Sequence, residues 1–163
     1  RRRDGHLRRI LVFYGGSDAT CETEKAIHVL LQLHLLSVAV DVVVGGSNPR
    51  RAYIEELCGK HDFLRYHCQV SNMAELMAQA DLSLGAGGTT TWERCFLGLP
   101  AIVTAIAENQ LEVCRDCDEM GYIYYLGRWD EVTEEDIAAA VQKCTMPQVL
   151  REMQRRCQRI GGS

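Results

Sequence analysis

Six short apolar runs rich in β-branched residues alternate with longer stretches of helical periodicity, and that alternation leaves the chain very few folds. The runs are Arg9–Tyr14, Val38–Val44, Phe63–Cys68, Leu82–Leu84, Ala101–Ile106 and Tyr122–Leu126. Helices are expected over Thr20–Leu36, Pro49–Gly59 (capped by Asn48), Met73–Ala80, Thr89–Leu97, Glu108–Met120, Thr133–Lys143 and Pro147–Arg159. Thr133 reads as an N-cap, with Asp136 at the third helical position. The runs are continuously apolar rather than alternating in and out, which is how strands covered on both faces read. Right-handed crossovers then give a doubly wound, mostly parallel six-stranded Rossmann-like α/β sheet.

At 163 residues the chain suits one domain with a proper core, and 47% hydrophobic against 25% charged residues excludes a disordered chain. A formal net charge of -4 argues against a nucleic-acid partner. Arginines gather at the start (Arg1, Arg2, Arg3, Arg8, Arg9) and near the end (Arg151, Arg155, Arg156, Arg159). They read as solvated termini, with a phosphate-seeking patch as the alternative. No apolar run approaches the roughly 20 residues of a membrane span. The longest, Val38–Gly46, is broken by Asp41. The eight cysteines are scattered through expected strands and helices, which reads as reduced thiols, and the expected location is cytoplasmic. Residues 1–8 read as a linker from an N-terminal domain and residues 9–163 as the folded domain, so a piece of a longer protein is expected.

In such a sheet, ligands bind outside the carboxyl ends of the strands. The unusual residues of this sequence fall there: Gly15-Gly16-Ser17-Asp18, Gly45-Gly46-Ser47-Asn48, Gln69 to Asn72, Gly85 to Glu93, and Glu108-Asn109-Gln110. The first loop suits a phosphate at a helix N-terminus, or a tight turn in which Ser17 or Asp18 merely caps. Gly85-Ala86-Gly87-Gly88-Thr89-Thr90-Thr91-Trp92-Glu93 offers backbone N–H groups and hydroxyls to a diphosphate and a carboxylate to a ribose. It is neither a Walker loop nor a dinucleotide fingerprint, because no Gly-Lys-Ser/Thr follows and Thr90 stands where a Gly or Ala is wanted. Glu108-Asn109-Gln110 reads as a helix cap or as ligand contacts. Cys114-x-x-Cys117 reads as core packing, since no second pair completes a zinc site. The histidines (His6, His28, His34, His61, His67) avoid the rim loops, so no general base of that type is evident. Trp92 and Trp129 read as packing residues.

The segments Ile10–Asp18, Val42–Pro49, Asn72–Asp81, Gly85–Cys95 with Leu97–Pro100, and Ala107–Gln110 occur in the order of a known family. The sequence resembles the C-terminal half of the UDP-2,4-diacetamido-2,4,6-trideoxy-β-L-altropyranose hydrolases of pseudaminic acid biosynthesis, whose relatives include spore-coat polysaccharide biosynthesis proteins. It is more distantly similar to the nucleotide-sugar half of GT-B glycosyltransferases. The resemblance implies a GT-B enzyme of two Rossmann-like halves that cleaves a UDP-sugar with inversion, without metal or cofactor. It implies that Gln69-Val70-Ser71 holds uracil through backbone groups, Val70 at its centre, and that Glu93 binds the ribose. Ser17, Thr89 and Thr90 would hold the diphosphate; Gly16, Asp18, Gly87, Gly88, Glu108 and Gln110 complete the nucleotide-sugar site. Asn109 matches a residue that contacts the sugar or the attacking water. The family's catalytic His belongs to the N-terminal half, so this chain alone is expected to bind UDP weakly and not to turn over. Ala19-Thr20 departs from the Pro and Asn common there. The rival readings are the UDP-sugar half of a GT-B glycosyltransferase and a non-catalytic nucleotide-binding or partner module.

Overall fold

A computed structural model describes residues 3–88, 94 and 97–160, with residues 159 and 160 described by backbone alone. Its six strands are β1 (Arg9–Phe13), β2 (Ala39–Val44), β3 (Leu64–Cys68), β4 (Leu82–Ala86), β5 (Ala101–Ala105) and β6 (Tyr124–Arg128). They form one parallel sheet in the order β3-β2-β1-β4-β5-β6. The described helices are α1 (Glu22–Leu33), α2 (Arg51–Gly59), α3 (Met73–Gln79), α4 (Leu111–Glu119), α5 (Glu134–Cys144) and α6 (Pro147–Ile160). The doubly wound sheet expected from the alternation is what the chain forms.

Strand periodicity divides the core between two faces. Ile10, Val12, Val40, Val42, Leu82, Leu84 and Ile102 face one side, where Ala26 and Ile27 of α1, Ile54 of α2 and Ile137 and Val141 of α5 cover them. Leu11 and Val43 face the other, against Leu76 and Met77 of α3. Ala101, Val103 and Ala105 share that second side with Cys114 and Cys117 of α4. Asp41 interrupts the apolar run of β2 and is fully buried, yet Arg9 Nε reaches its Oδ2 (2.6 Å) and His67 Nε2 its Oδ1 (2.9 Å). Burial alone would raise its pKa, but the bonds to Arg9 and His67 outweigh burial and hold the carboxyl below its ordinary 3.8.

The order of strands reverses between β1 and β4, so the topological switch point lies between the loops that follow those two strands.

Several boundaries differ from the sequence reading for local reasons. β4 runs on through Gly85 and Ala86, which the composition had suggested as loop. Gly85 is there for packing: a methyl group on it would lie 2.6 Å from the Phe13 carbonyl and 2.5 Å from an Arg94 guanidinium nitrogen. β6 starts at Tyr124, not Tyr122, because Tyr122 N–H bonds back to Cys117 O (2.9 Å) and closes α4. α2 starts at Arg51 because Asn48 Oδ1 takes the Arg50 N–H in a tight turn instead of capping the helix interior. Glu108–Gln110 is a single 3-10 turn leading into α4. The capping box of α5 forms as expected, with Thr133 Oγ1 accepting from Asp136 N–H and Asp136 accepting from Thr133 N–H. The expected helix Thr89–Leu97 lies almost wholly outside the described residues.

Candidate functional site

The loops after β1, β2, β3, β4 and β5 come together on one rim, and a glycine marks nearly every junction between them. A methyl group on Gly45 would lie 2.6 Å from Gly16 Cα, so the first two loops meet backbone to backbone. Beside them, Gly46 leaves the space that the Gln69 side chain fills, which brings in the third loop. Gly15, at φ 93°, faces Ile106 in the fifth. A methyl group on Gly88 would stand 3.6 Å from Gln110 Nε2, which joins the fourth loop to the fifth. Gly45 lets backbone approach backbone, whereas Gly46, Gly15 and Gly88 make room for the side chains of Gln69, Ile106 and Gln110.

The first loop is set by Asp18. Its Oδ1 accepts the Glu22 N–H and its Oδ2 the Thr23 N–H, both at 2.9 Å, and the residue is buried at φ 47°. Of the two readings of this loop, the cap by Asp18 is present, and it takes two of the N–H groups at the start of α1 that a phosphate would otherwise find. Burial raises the Asp18 pKa above 3.8, against the opposing bonds from Thr23 and Glu22. Gly16 and Ser17 remain exposed in front of this cap. Below it, Tyr14 is buried; burial first, then the Glu22 and Asp18 carboxylates, hold its phenol above the ordinary 10.0, with Arg94 opposing.

Val70 is half-buried and turns its side chain into the core cluster of Leu11 and Val43, so its backbone is what the third loop presents. The preceding Gln69 sits at φ 52°, where the chain turns sharply off β3. Gly87 is buried over α4, where a methyl group would run into Cys114 Sγ. Burial pushes the Cys114 thiol up to about 11, so it packs as a neutral side chain. Cys114 and Cys117 are both buried in the core, the role read from their spacing.

In the fifth loop, Gln110 Oε1 accepts the Ile106 N–H (2.9 Å), leaving the amide nitrogen on the side of Gly88. Asn109 and Glu108 are exposed, and Arg128 Nη1 stands 3.8 Å from Glu108 Oε1. Thr89, Thr90 and Glu93 lie outside the described residues.

Three features escaped the sequence reading. Arg94 is buried beneath the end of β4 and donates to Ala86 O (2.9 Å). Lys25 Nζ donates to Trp129 O (3.1 Å) and stands 2.8 Å from the buried Glu22, tying the start of α1 to the segment after β6. The Arg9–Asp41–His67 cluster is the third. Nothing in the periodicity marks them, since each depends on which elements the topology makes neighbours.

The rim thus brings the exposed Gly16 and Ser17, the turn at Val70, Gly88 and the side chains of Asn109 and Gln110 to the carboxyl end of the sheet, where open α/β folds bind their ligands. Among the described residues no histidine lies in it, and no group of three His, Cys, Asp or Glu side chains is placed to hold a metal ion. Among them, too, no helix is long and apolar enough to cross a membrane.

A parallel sheet of this order with its loops gathered at the carboxyl ends of the strands is a Rossmann-like α/β domain. The chain belongs to the glycosyltransferase family 28 C-terminal domain, which it matches over residues 10–159. It is 32% identical over 123 residues to the uncharacterized protein MJ1062 of Methanocaldococcus jannaschii, covering 72% of this chain and 24% of that protein. It is 28% identical over 131 residues to the spore coat polysaccharide biosynthesis protein SpsG of Bacillus subtilis, covering 80% of this chain and 39% of SpsG. The chain thus spans well under half the length of either relative. Among solved structures it is similar to the spinosyn rhamnosyltransferase SpnG complexed with thymidine diphosphate (TM-score 0.75, 20% identity, 98% of this chain and 42% of that one). It is also similar to MurG of Acinetobacter baumannii (TM-score 0.72, 18% identity, 94% of this chain and 45% of that one). At these identities the structures speak for the fold.

Proposed function

We propose that the rim binds the UDP part of a UDP-sugar and that this chain is the nucleotide-binding half of a UDP-sugar hydrolase. The observation that carries this is the meeting of the loops after β1 to β5 at the carboxyl end of the sheet, on both sides of the switch point, with glycines at their contacts. The diphosphate lies against Gly16, Ser17, Gly87, Gly88, Thr89 and Thr90. The uracil meets the backbone at Val70, and Glu93 takes the ribose hydroxyls. Glu108, Asn109 and Gln110 face the sugar, with Asn109 beside the attacking water. Asp18 acts from behind, by fixing the turn that presents Gly16 and Ser17. Water adds at the anomeric carbon while the C–O bond to UDP breaks, UDP leaving with the bonding pair. The proton goes to a histidine of an N-terminal domain in the same protein. The product is a free diacetamido-trideoxy sugar for pseudaminic acid biosynthesis. No cofactor is required, and the reaction runs in the cytoplasm.

The family resemblance of the sequence supports hydrolysis, and the likeness to SpsG supports a place in polysaccharide biosynthesis. Membership of glycosyltransferase family 28 and the fold shared with MurG favour a second reading, transfer of the sugar to an acceptor. Calorimetric titration of this chain tests the nucleotide reading: UDP binds more tightly than ADP or GDP, and Glu93→Ala weakens UDP about tenfold or more, the value of a lost charged hydrogen bond. Equal affinities for the three nucleotides contradict the uracil contact. Incubating the full-length protein with a UDP-sugar separates the reactions. Free sugar released without an acceptor supports hydrolysis; release only on adding an acceptor supports transfer.

A further inference from the structure

The arginines at the two ends of the sequence meet in the fold. Residues 3–8 lie along α6: Gly5 N–H donates to Gln154 Oε1 (3.0 Å) and Arg151 Nη2 to Asp4 O (3.0 Å). The crease between them is a cavity of about 370 Å³ lined by Arg3, Asp4, Arg151, Gln154, Arg155 and Gln158. Of its lining, Gln154 Nε2 donates to the backbone carbonyl of Asp81 (3.4 Å), just before β4, and Asp81 Oδ2 accepts the Arg8 and Arg9 N–H groups (2.9 and 3.0 Å) at the entry to β1. The crease therefore lies at the amino ends of the strands, with the length of the sheet between it and the rim.

Three arginines and one aspartate line this cavity, in a protein whose net charge is -4. The carboxylate, Asp4, is engaged by Arg8 (3.0 Å), whose hydrogen bond holds it well below its usual range. Arg3 is anchored on the end of α3, donating to Met77 O and Ala80 O (both 2.7 Å) and to Leu97 O. The Met77 and Ala80 carbonyls belong to the negative end of α3, and with Leu97 O they fix the guanidinium in place. Arg151 is anchored on the Asp4 carbonyl, and Arg155 stands 3.7 Å from Glu152 at the open side. Arg3 thus supplies a fixed positive charge with its fork spent on carbonyls, while Arg151 and Arg155 supply the planar forks that match phosphate oxygens.

We propose that this crease is a second anion site, which binds a phosphoryl group of two or more negative charges. The group is either soluble, as in pyrophosphate, or the exposed headgroup of a phosphatidic-acid-type lipid. The site is independent of what the rim binds.

Amide NMR of the chain titrated with pyrophosphate tests it, read at Gly5, Arg151 and Gln154 for the crease and at Gly16 and Gly88 for the rim. The crease amides shift, they still shift when UDP is present in excess, and Arg151→Ala with Arg155→Ala weakens that response at least tenfold. Arg155→Ala alone, which keeps the Arg151–Asp4 bond, gives a smaller loss of the same sign and decides the matter if the double variant unfolds. Cosedimentation with phosphatidylcholine vesicles containing phosphatidic acid, lost in the same variants, assigns the lipid source; a crease response to pyrophosphate alone assigns the soluble one. Shifts confined to Gly16 and Gly88 without vesicle binding overturn the proposal, as does crease or vesicle binding that the variants leave unchanged.

Discussion

The backbone of Gly45 lies against that of Gly16, close enough that a methyl group on Gly45 would sit 2.6 Å from Gly16 Cα. The obstacle is main chain, which cannot rotate away as a side chain would. Gly45→Ala should therefore push the second loop off the first, at about 1–3 kcal/mol of stability. UDP affinity should fall with it, because Gly16 moves. Thermal unfolding and titration of the variant check both; wild-type stability would show that the two loops do not share a wall.

Gly87 and Cys114 form a second such pair, but here the obstacle is a side chain. Gly87→Ala should destabilise by roughly 1–3 kcal/mol, and Cys114→Ala made in addition should recover much of the loss by opening room for the methyl group. A double-mutant cycle measured by chemical denaturation decides. Strictly additive losses would mean that the sulfur does not limit the space.

Gln110 separates a structural from a ligand role within one side chain. Gln110→Leu leaves the Ile106 N–H without its acceptor and should cost about 1–3 kcal/mol. Gln110→Glu keeps the acceptor and should hold stability, while placing a carboxylate beside Gly88 that weakens UDP binding. If Gln110→Glu binds UDP like the wild type, the amide does not face the phosphates.

Asp18 and Asp41 should leave opposite marks on the pH dependence of stability. The folded pKa of Asp18 is raised above 3.8, chiefly by burial, so the native state holds that proton more tightly than the unfolded chain. Its contribution therefore falls as pH climbs from 3.8 through the raised value. The folded pKa of Asp41 is lowered, so its contribution is present above 3.8 and is lost as pH falls through the lowered value. Asp41→Asn should flatten the acid limb and cost about 1–3 kcal/mol at neutral pH, moderated by the solvent that still reaches Arg9 and His67. Asp18→Asn should flatten the decline above 3.8 instead. Urea denaturation across the pH range reads both; identical limbs in the two variants would contradict the assignments.

The sheet was legible because its strands announce themselves: Val42-Val43-Val44 and Ile102-Val103 have little choice but to be buried on both sides. The position of the rim followed from topology, since loops after parallel strands must share an end. What the sequence concealed was which atoms are already used. Asp18 reads equally as ligand contact or cap, and only the path of the turn puts both its oxygens on backbone N–H groups. Gly85 reads as loop because composition does not reveal that a buried Arg94 needs the space. Tyr122 and Ile123 look like strand, yet Gly121 at φ 79° folds them back on α4. The pairing of Asp41 with Arg9 and His67 joins three strands and leaves no trace in the spacing along any one of them.

The most direct test of the central claim is amide NMR of this chain titrated with UDP. The account predicts saturable shifts at Gly16, Ser17, Val70, Gly87 and Gly88, with Glu55, Glu56 and the outer face of α5 unmoved. Saturation with these five amides unchanged, or with the largest shifts away from the ends of β1, β3 and β4, would contradict it.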